Sequence, residues 1–250
     1  MTGPTGSAAP RSFRARDGLS AAPVLGVLML DTRFPRVLGD IGNPASFAFP
    51  VRYAVVRGAS ARRVVQGRDR DLLEPFIDAA RELVREGASA VSTSCGFLVV
   101  FQDALQQALG VPVWTSSLLL VRGLQAQLGA GRRVGVVTVD GDALAPAHLE
   151  AAGALPDVPV EGLARGCAFQ RCLLDDEPTL DVDAAGRSTV EAAQRLVARC
   201  PDVDALVLEC TNMPPYAAAV RRATGLPVHD ITTLLAERFP PAPHSNPSSP

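Results

Sequence analysis

The 250-residue chain contains no lysine: all 24 of its basic residues are arginine. It therefore cannot form the Schiff base that anchors pyridoxal phosphate, nor supply the lysine of a phosphate-cradling nucleotide loop. The net charge of -2 and the scattered arginines give no electrostatic footprint for nucleic acid. No apolar run is long enough to span a membrane, since residues 24–30 stop at Asp31, and no signal peptide is evident at the start. The 5 cysteines lack the dense, regular spacing of a secreted disulfide scaffold, so a reducing cytoplasm is the expected setting.

What is present suffices for a sizeable core, with 47% apolar residues in one large domain or two lobes. Residues 1–22 are rich in Gly, Ala, Pro and Ser, and residues 239–250 read FPPAPHSNPSSP. Both ends are expected to be disordered tails.

The middle of the chain repeats itself. Aligning Cys95 with Cys210, an offset of 115, also places Ala90 on Ala205, Gly110 on Gly225, Pro112 on Pro227 and Val113 on Val228 without a gap. GASAVSTSCGFL thus pairs with DVDALVLECTNM, and QQALGVPVWTSSLLL with RRATGLPVHDITTLL. Upstream, GVLMLD pairs with GVVTVD at an offset of 109.

Each copy reads as strand, connection, amphipathic helix, buried strand, cysteine, helix, and a short strand entered through Gly-x-Pro. Leu72, Leu73, Phe76, Ile77, Ala80, Leu83 and Val84 recur at helical spacing in the first copy, as do Val190, Ala193, Leu196 and Val197 in the second. Nearly continuous apolar strands alternating with helices predict α/β architecture with parallel sheets. The expectation is two pseudo-symmetric lobes, residues 23–125 and 126–238, with a cleft between them and the C-terminal segment free to pack back on the first lobe.

Cys95 and Cys210 fall at carboxyl ends of strands, where open α/β sheets bind ligands. A helix beginning there would lower the thiol pKa and offer free N–H groups to a carboxylate. Two such thiols facing one ligand could remove a proton from a carbon beside a carboxylate and return it on the other face. A cysteine ending an apolar strand is also an ordinary packing residue; the equivalence of the two under the repeat is what favours chemistry. Cys167, Cys172 and Cys200 have no cysteine counterparts and read as structural. Cys167 and Cys172 lack a second Cys or His pair, so no metal is assigned.

STSCGFL and LECTNMPPY resemble the two cysteine motifs of the aspartate/glutamate racemase superfamily, which includes glutamate, aspartate and hydantoin racemases, maleate isomerases and arylmalonate decarboxylases. The likeness runs from about Val24 to Phe239, and the opening segment of the first lobe resembles a subgroup described only as aspartate/glutamate racemase family proteins. The resemblance implies a cofactor-independent isomerase with Cys95 and Cys210 as exchanging acid and base. Decarboxylating members keep only the second thiol, with glycine at the first, so the pair favours racemisation or epimerisation of an amino acid or derivative. Maleate isomerases keep both thiols and use one as a nucleophile, so that chemistry stays open, as do a decarboxylase-like reaction, acyl transfer and non-catalytic carboxylate binding. Glutamate racemases resemble Cys-Thr-His at the second motif; here Asn212 follows Thr211.

Around the thiols, backbone N–H groups of Gly96, Phe97, Thr211 and Asn212 are expected to form anion-binding nests, with Ser94 beside them. Thr138, Asp140 and Asp31 end the first strand of each copy and are candidate cleft residues, or loop caps. Thr115, Ser116 and Ser117 read as ligand hydroxyls or, more simply, helix caps. Residues 39–44, with Asn43, read either as a flap over the cleft or as a tight turn. Arg52 with Tyr53 is a weaker candidate for a distal carboxylate, and His229 has a claim on the interior. The partner assigned is a small-molecule carboxylate substrate, with no nucleic acid and no membrane; a homodimer is compatible with the sequence.

Overall fold

The structure, a computed structural model, describes residues 22–67 and 70–239. The expected tails lie outside the described residues apart from Ala22 and Phe239. The first lobe contains β1 (Val24–Leu30), β2 (Val51–Val56), α1 (Ala61–Gln66), α2 (Leu73–Arg85), β3 (Ala88–Thr93), α3 (Gln102–Ala108), β4 (Val113–Trp114) and α4 (Val121–Gln127). The second contains β5 (Arg133–Thr138), α5 (Pro146–Ala151), β6 (Val160–Gly162), α6 (Ala168–Leu174), α7 (Val182–Arg199), β7 (Val203–Leu208), α8 (Ala217–Thr224), β8 (Val228–His229) and α9 (Ile231–Arg238).

Two four-stranded sheets result, in the orders β2-β1-β3-β4 and β6-β5-β7-β8. Every pairing is parallel, so the sequence repeat is a repeat of topology. The helices form where an apolar face meets a cap. Phe76, Ile77, Ala80 and Leu83 bury one side of α2. Asp181 caps α7 by accepting from the Ala184 N–H, and Asp230 caps α9 by accepting from the Thr232 and Thr233 N–H groups. One glycine is repeated for close packing: a Cβ on Gly135 of β5 would meet Leu196 of α7 at 2.8 Å, and one on Gly26 of β1 would meet Leu83 of α2 at 3.1 Å.

The lobes are not independent. Phe34, Val65, Phe97, Val99, Leu118 and Val121 of the first half belong to the same buried cluster as Val134, Leu196, Leu206 and Cys210 of the second. Helix α9, at the far end of the chain, covers the opposite face of the first sheet, where Ile231, Leu234 and Leu235 pack with Leu25 and Val27. Phe239, assigned to the tail from sequence, is buried there against Phe49, at 4.9 Å between ring centroids.

Candidate active site between the lobes

The carboxyl ends of β1, β3, β5 and β7 converge on one cleft. Equivalent backbone bonds turn the chain at the two cysteine motifs: the Ser94 N–H donates to the Leu28 carbonyl at 2.9 Å, and the Glu209 N–H to the Val137 carbonyl at 2.8 Å. The turns are then stitched together, because the Thr211 hydroxyl donates to the Ser94 carbonyl at 2.6 Å. Cys95 and Cys210 consequently line a single cavity of about 20 Å³ with Ser94, Gly96, Phe97, Glu209, Thr211 and Asn212. Leu30, Phe34, Ala61, Val65, Val139, Leu173 and Leu174 supply its apolar wall.

The thiols are not acidified as a helix N-terminus would make them. Cys95 precedes a short 3-10 turn, Gly96–Phe101, and Cys210 precedes an irregular loop before the turn Pro214–Tyr216. Burial of the sulfur, and then the Glu209 carboxylate, push the Cys95 pKa up to about 12. The same two causes, in the same order, hold Cys210 well above the ordinary thiol range. Backbone N–H groups of Phe97 and Leu98 and the charge of Arg36 pull Cys95 the other way without prevailing. The expected lowering thus fails because desolvation of a thiolate outweighs a few backbone donors.

Over the cleft lies the segment between β1 and β2, the lobe-one counterpart of the stretch holding α5. Its Asp40 and Ile41 are buried, and the Ile41 N–H reaches the Thr211 carbonyl at 3.4 Å. Asp40 accepts from the Asn212 amide at 2.6 Å, from the Gly42 N–H at 2.7 Å and from Arg36 at 3.3 Å. Asn212, oriented this way, presents its carbonyl to the Cys210 S–H at 3.5 Å. Arg36 also donates to Thr32 and stacks on Phe34 at 4.2 Å. Asp176 of the second lobe clamps the segment's start, accepting from the Arg33 N–H at 2.5 Å, the Arg33 Nε at 2.9 Å and the Phe34 N–H at 3.2 Å. The segment between β1 and β2 thus forms a cover on the cleft, with Phe34 in the cavity wall and Asp40 and Ile41 bonded to Asn212 and Thr211 behind it.

Of the sequence candidates, Ser94, Gly96, Phe97, Thr211 and Asn212 join the two thiols at the cavity. Thr138 stands behind it, donating to Glu209 Oε2 at 2.7 Å. Three others serve the scaffold. Asp31 is exposed and accepts from the Gly58 N–H at 3.0 Å. Asp140 accepts from the Ala143 N–H at 3.2 Å and from Gln66 across the lobes at 3.1 Å. Asn43 holds the cover together, accepting from the Ala45 N–H and donating to the Arg36 carbonyl. Ser116 is a cap for Leu118, Ser117 bridges to the Leu208 carbonyl at 2.8 Å, and Thr115 is held by Gln102. Arg52 faces Glu86 in a half-exposed pair, and Tyr53 donates to the Ile41 carbonyl. His229 ends β8, away from the cavity lining, with a buried Nδ1 that has no partner.

The residues missed from sequence are Glu209, Arg36, Asp40 and Phe34. Glu209 had a visible signal: it is an acid directly following the apolar run of β7, a position where a buried charge needs a reason. The cover residues had none, since their role arises from a fold-back across lobes. Among the described residues, no group of three or more His, Cys, Asp or Glu side chains is arranged to hold a metal, and no helix is long and apolar enough to cross a membrane.

A pseudo-symmetric pair of parallel α/β lobes closing on two strand-end cysteines defines the class. The chain belongs to the Asp/Glu/hydantoin racemase family, whose profile matches residues 118–239. It is 34% identical over 215 residues to a dimethylsulfoniopropionate lyase of Durusdinium sp. clade D, covering 82% of this chain and 70% of that protein. A dimethylsulfoniopropionate lyase of Emiliania huxleyi is 33% identical over 84% of this chain, which spans 64% of that relative's length. Among solved structures, unliganded arylmalonate decarboxylase superposes with a TM-score of 0.55 at 23% identity, covering 83% of this chain and 86% of its own. A glutamate racemase isoform from Bacillus anthracis gives 0.53 at 16% identity, covering 87% and 83%. These structures share the fold.

Proposed function

We propose that the chain is a cofactor-independent lyase that removes a proton from the carbon beside a carboxylate and expels a leaving group from the next carbon, with dimethylsulfoniopropionate as the substrate. The observation that carries this reading is the inequality of the two half-sites. Racemisation asks both thiols to serve alternately as acid and base, and so favours similar support on both sides. Here the repeat counterpart of Glu209 is Ser94, and that of Asn212 is Phe97. One wall carries the acid and the amide; the other is a phenylalanine among leucines and valines. A one-directional elimination tolerates, and uses, such a difference.

The wall also suits the substrate. An amino acid brings an ammonium with three donors that need acceptors, whereas a dimethylsulfonium group has no hydrogen to donate. Its methyl groups are served by Leu30, Val65, Val139, Leu173 and Leu174, and its positive charge by the aromatic surface of Phe97. The substrate carboxylate is assigned to the N–H groups of Thr211 and Asn212, beside Cys210 as a hydrogen-bonding thiol. Cys95, on the side with the backbone donors of Phe97 and Leu98, takes the proton. The Cα–H electron pair becomes the double bond of acrylate, and the carbon–sulfur pair leaves on dimethyl sulfide.

Release of dimethyl sulfide from purified protein, read by headspace gas chromatography, tests this. Cys95→Ala and Cys210→Ala are each expected to lower the rate at least about 100-fold, while Cys167→Ala and Cys200→Ala keep it near wild type. Full activity in either of the first two variants contradicts the assignment.

A further inference from the structure

Glu209 has one satisfied and one unsatisfied oxygen. It is fully buried at the end of β7; Oε2 receives the Thr138 hydroxyl at 2.7 Å, and Oε1, equally buried, has no partner. Oε1 is pressed against the first cysteine motif: a Cβ on Gly96 would lie only 2.3 Å from it. A glycine at that position is therefore what lets the carboxyl reach the Cys95 side of the cleft. Orphaned carboxylate oxygens are costly to bury, and Glu209 borders the cavity that both thiols line.

The two sulfurs differ in what surrounds them. The Cys210 S–H already has an acceptor, the Asn212 carbonyl, whose amide is fixed by Asp40. Backbone N–H groups act on both sulfurs, those of Phe97 and Leu98 on Cys95 and that of Asn212 on Cys210, and Cys95 has the Arg36 charge in range. Hydrogen bonds to sulfur from donors favour the thiolate, and an acceptor favours the thiol. The pair is thus divided into a sulfur set up to lose its proton and a sulfur set up to keep it.

We propose that Glu209 is the proton acceptor that arms Cys95: the Cys95 S–H bond breaks, a bond forms from that hydrogen to Glu209 Oε1, and the electron pair stays on sulfur. The resting cleft then carries one negative charge shared between Glu209 and Cys95, lying mostly on the carboxylate until substrate arrives. A cationic substrate next to Cys95 draws the charge onto sulfur, the thiolate takes the α-hydrogen, and Cys95 ends the elimination as a thiol. One proton per turnover remains on Glu209 and passes to water when the cover opens, which matches the one proton released when the sulfonium acid becomes acrylate and a neutral sulfide. The identity of that substrate rests on the lyase reading; the transfer from sulfur to carboxylate does not.

Burial raises the Glu209 carboxyl to about 7, offset in part by the Thr138 bond, which places the shared ionisation near neutral pH. The titratable and charged groups around it are Cys95 and Cys210, with the Arg36–Asp40 pair on the cover and Tyr216, itself pushed up to about 12, beyond them. Burial carries Cys95, Cys210 and Tyr216 upward, away from neutrality, so a step near 7 in Cys95 reactivity reports Glu209.

The test is alkylation of Cys95 by iodoacetamide without substrate, followed by peptide mass spectrometry from pH 5 to 10, with the partly buried Cys167 and Cys200 as controls in the same digest. In the wild type, the Cys95 rate is expected to rise through an inflection near pH 7 and then level off, because two coupled sites titrate as one. Glu209→Gln is expected to abolish the inflection, so that Cys95 alkylation climbs with pH without levelling off, because the carboxylate that holds the thiol up is gone, leaving Cys167 and Cys200 unchanged. Thr138→Val, which removes the donor to Oε2, is expected to move the inflection upward. A wild-type profile without a step between pH 6 and 8, or superimposable wild-type and Glu209→Gln profiles, overturns the proposal. Because no substrate is present, either result stands apart from the outcome with dimethylsulfoniopropionate.

Discussion

At the residue scale, the site is governed by one buried carboxyl among groups that dislike being charged. Glu209 is held at about 7 in the fold, against an ordinary value near 4.5, chiefly by desolvation. The folded state therefore keeps a proton that the unfolded chain has lost, and between these two values stability falls as pH rises. Glu209→Gln is expected to flatten that dependence and raise stability above pH 7 by up to a few kcal/mol, measured by urea unfolding at pH 5 and pH 8. An unchanged slope over that window contradicts the assigned protonation. The cysteine pair was legible from the sequence because the repeat superposes Cys95 on Cys210. The direction of their pKa shifts was not, because it depends on how deeply two loops bury each other, and no spacing along the chain encodes that.

At the element scale, the repeat extends from strand order to single contacts. Gly26 and Gly135 admit Leu83 and Leu196 onto the central strands, but the second fit is tighter. Gly135→Ala is expected to cost about 1–3 kcal/mol through overpacking and to be the more damaging of the pair, with Gly26→Ala milder by thermal unfolding. The reverse order contradicts the tighter fit at Gly135. Helices α2 and α7 and the parallel strands were readable because their apolar faces follow the 3.6-residue and continuous patterns of buried elements. Asp31 and Asp140 were ambiguous for a local reason: an acid after a strand serves equally as a cap or a ligand, and here both are taken by nearby N–H groups.

At the scale of the whole molecule, the two lobes share a core and are closed by the segment between β1 and β2. The closure leaves about 20 Å³, room for roughly one water molecule, so substrate entry requires the cover to move. Its clamp is Asp176, the only non-glycine described residue with positive φ, at 57°. Asp176→Ala removes the acceptor of three bonds to residues 33 and 34. It is expected to speed amide exchange across residues 31–43 severalfold and to raise KM more than it lowers kcat. Unchanged exchange there would mean that Asn212 and Thr211 alone hold the cover. This tertiary role explains why Arg36, Phe34 and Asp40 escaped sequence reading: they meet the site only through a fold-back onto the other lobe, at separations such as that between Asp40 and Asn212.

The central claim, that these lobes carry out elimination and not inversion, is tested most directly by proton NMR in D₂O. Dimethylsulfoniopropionate and single-enantiomer aspartate and glutamate are incubated in parallel with wild-type protein and Cys95→Ala. The expected result is equimolar acrylate and dimethyl sulfide from the first substrate, dependent on Cys95, with no deuterium entering the α-position of either amino acid. Cysteine-dependent α-deuteration of an amino acid, with dimethylsulfoniopropionate left intact, would contradict it.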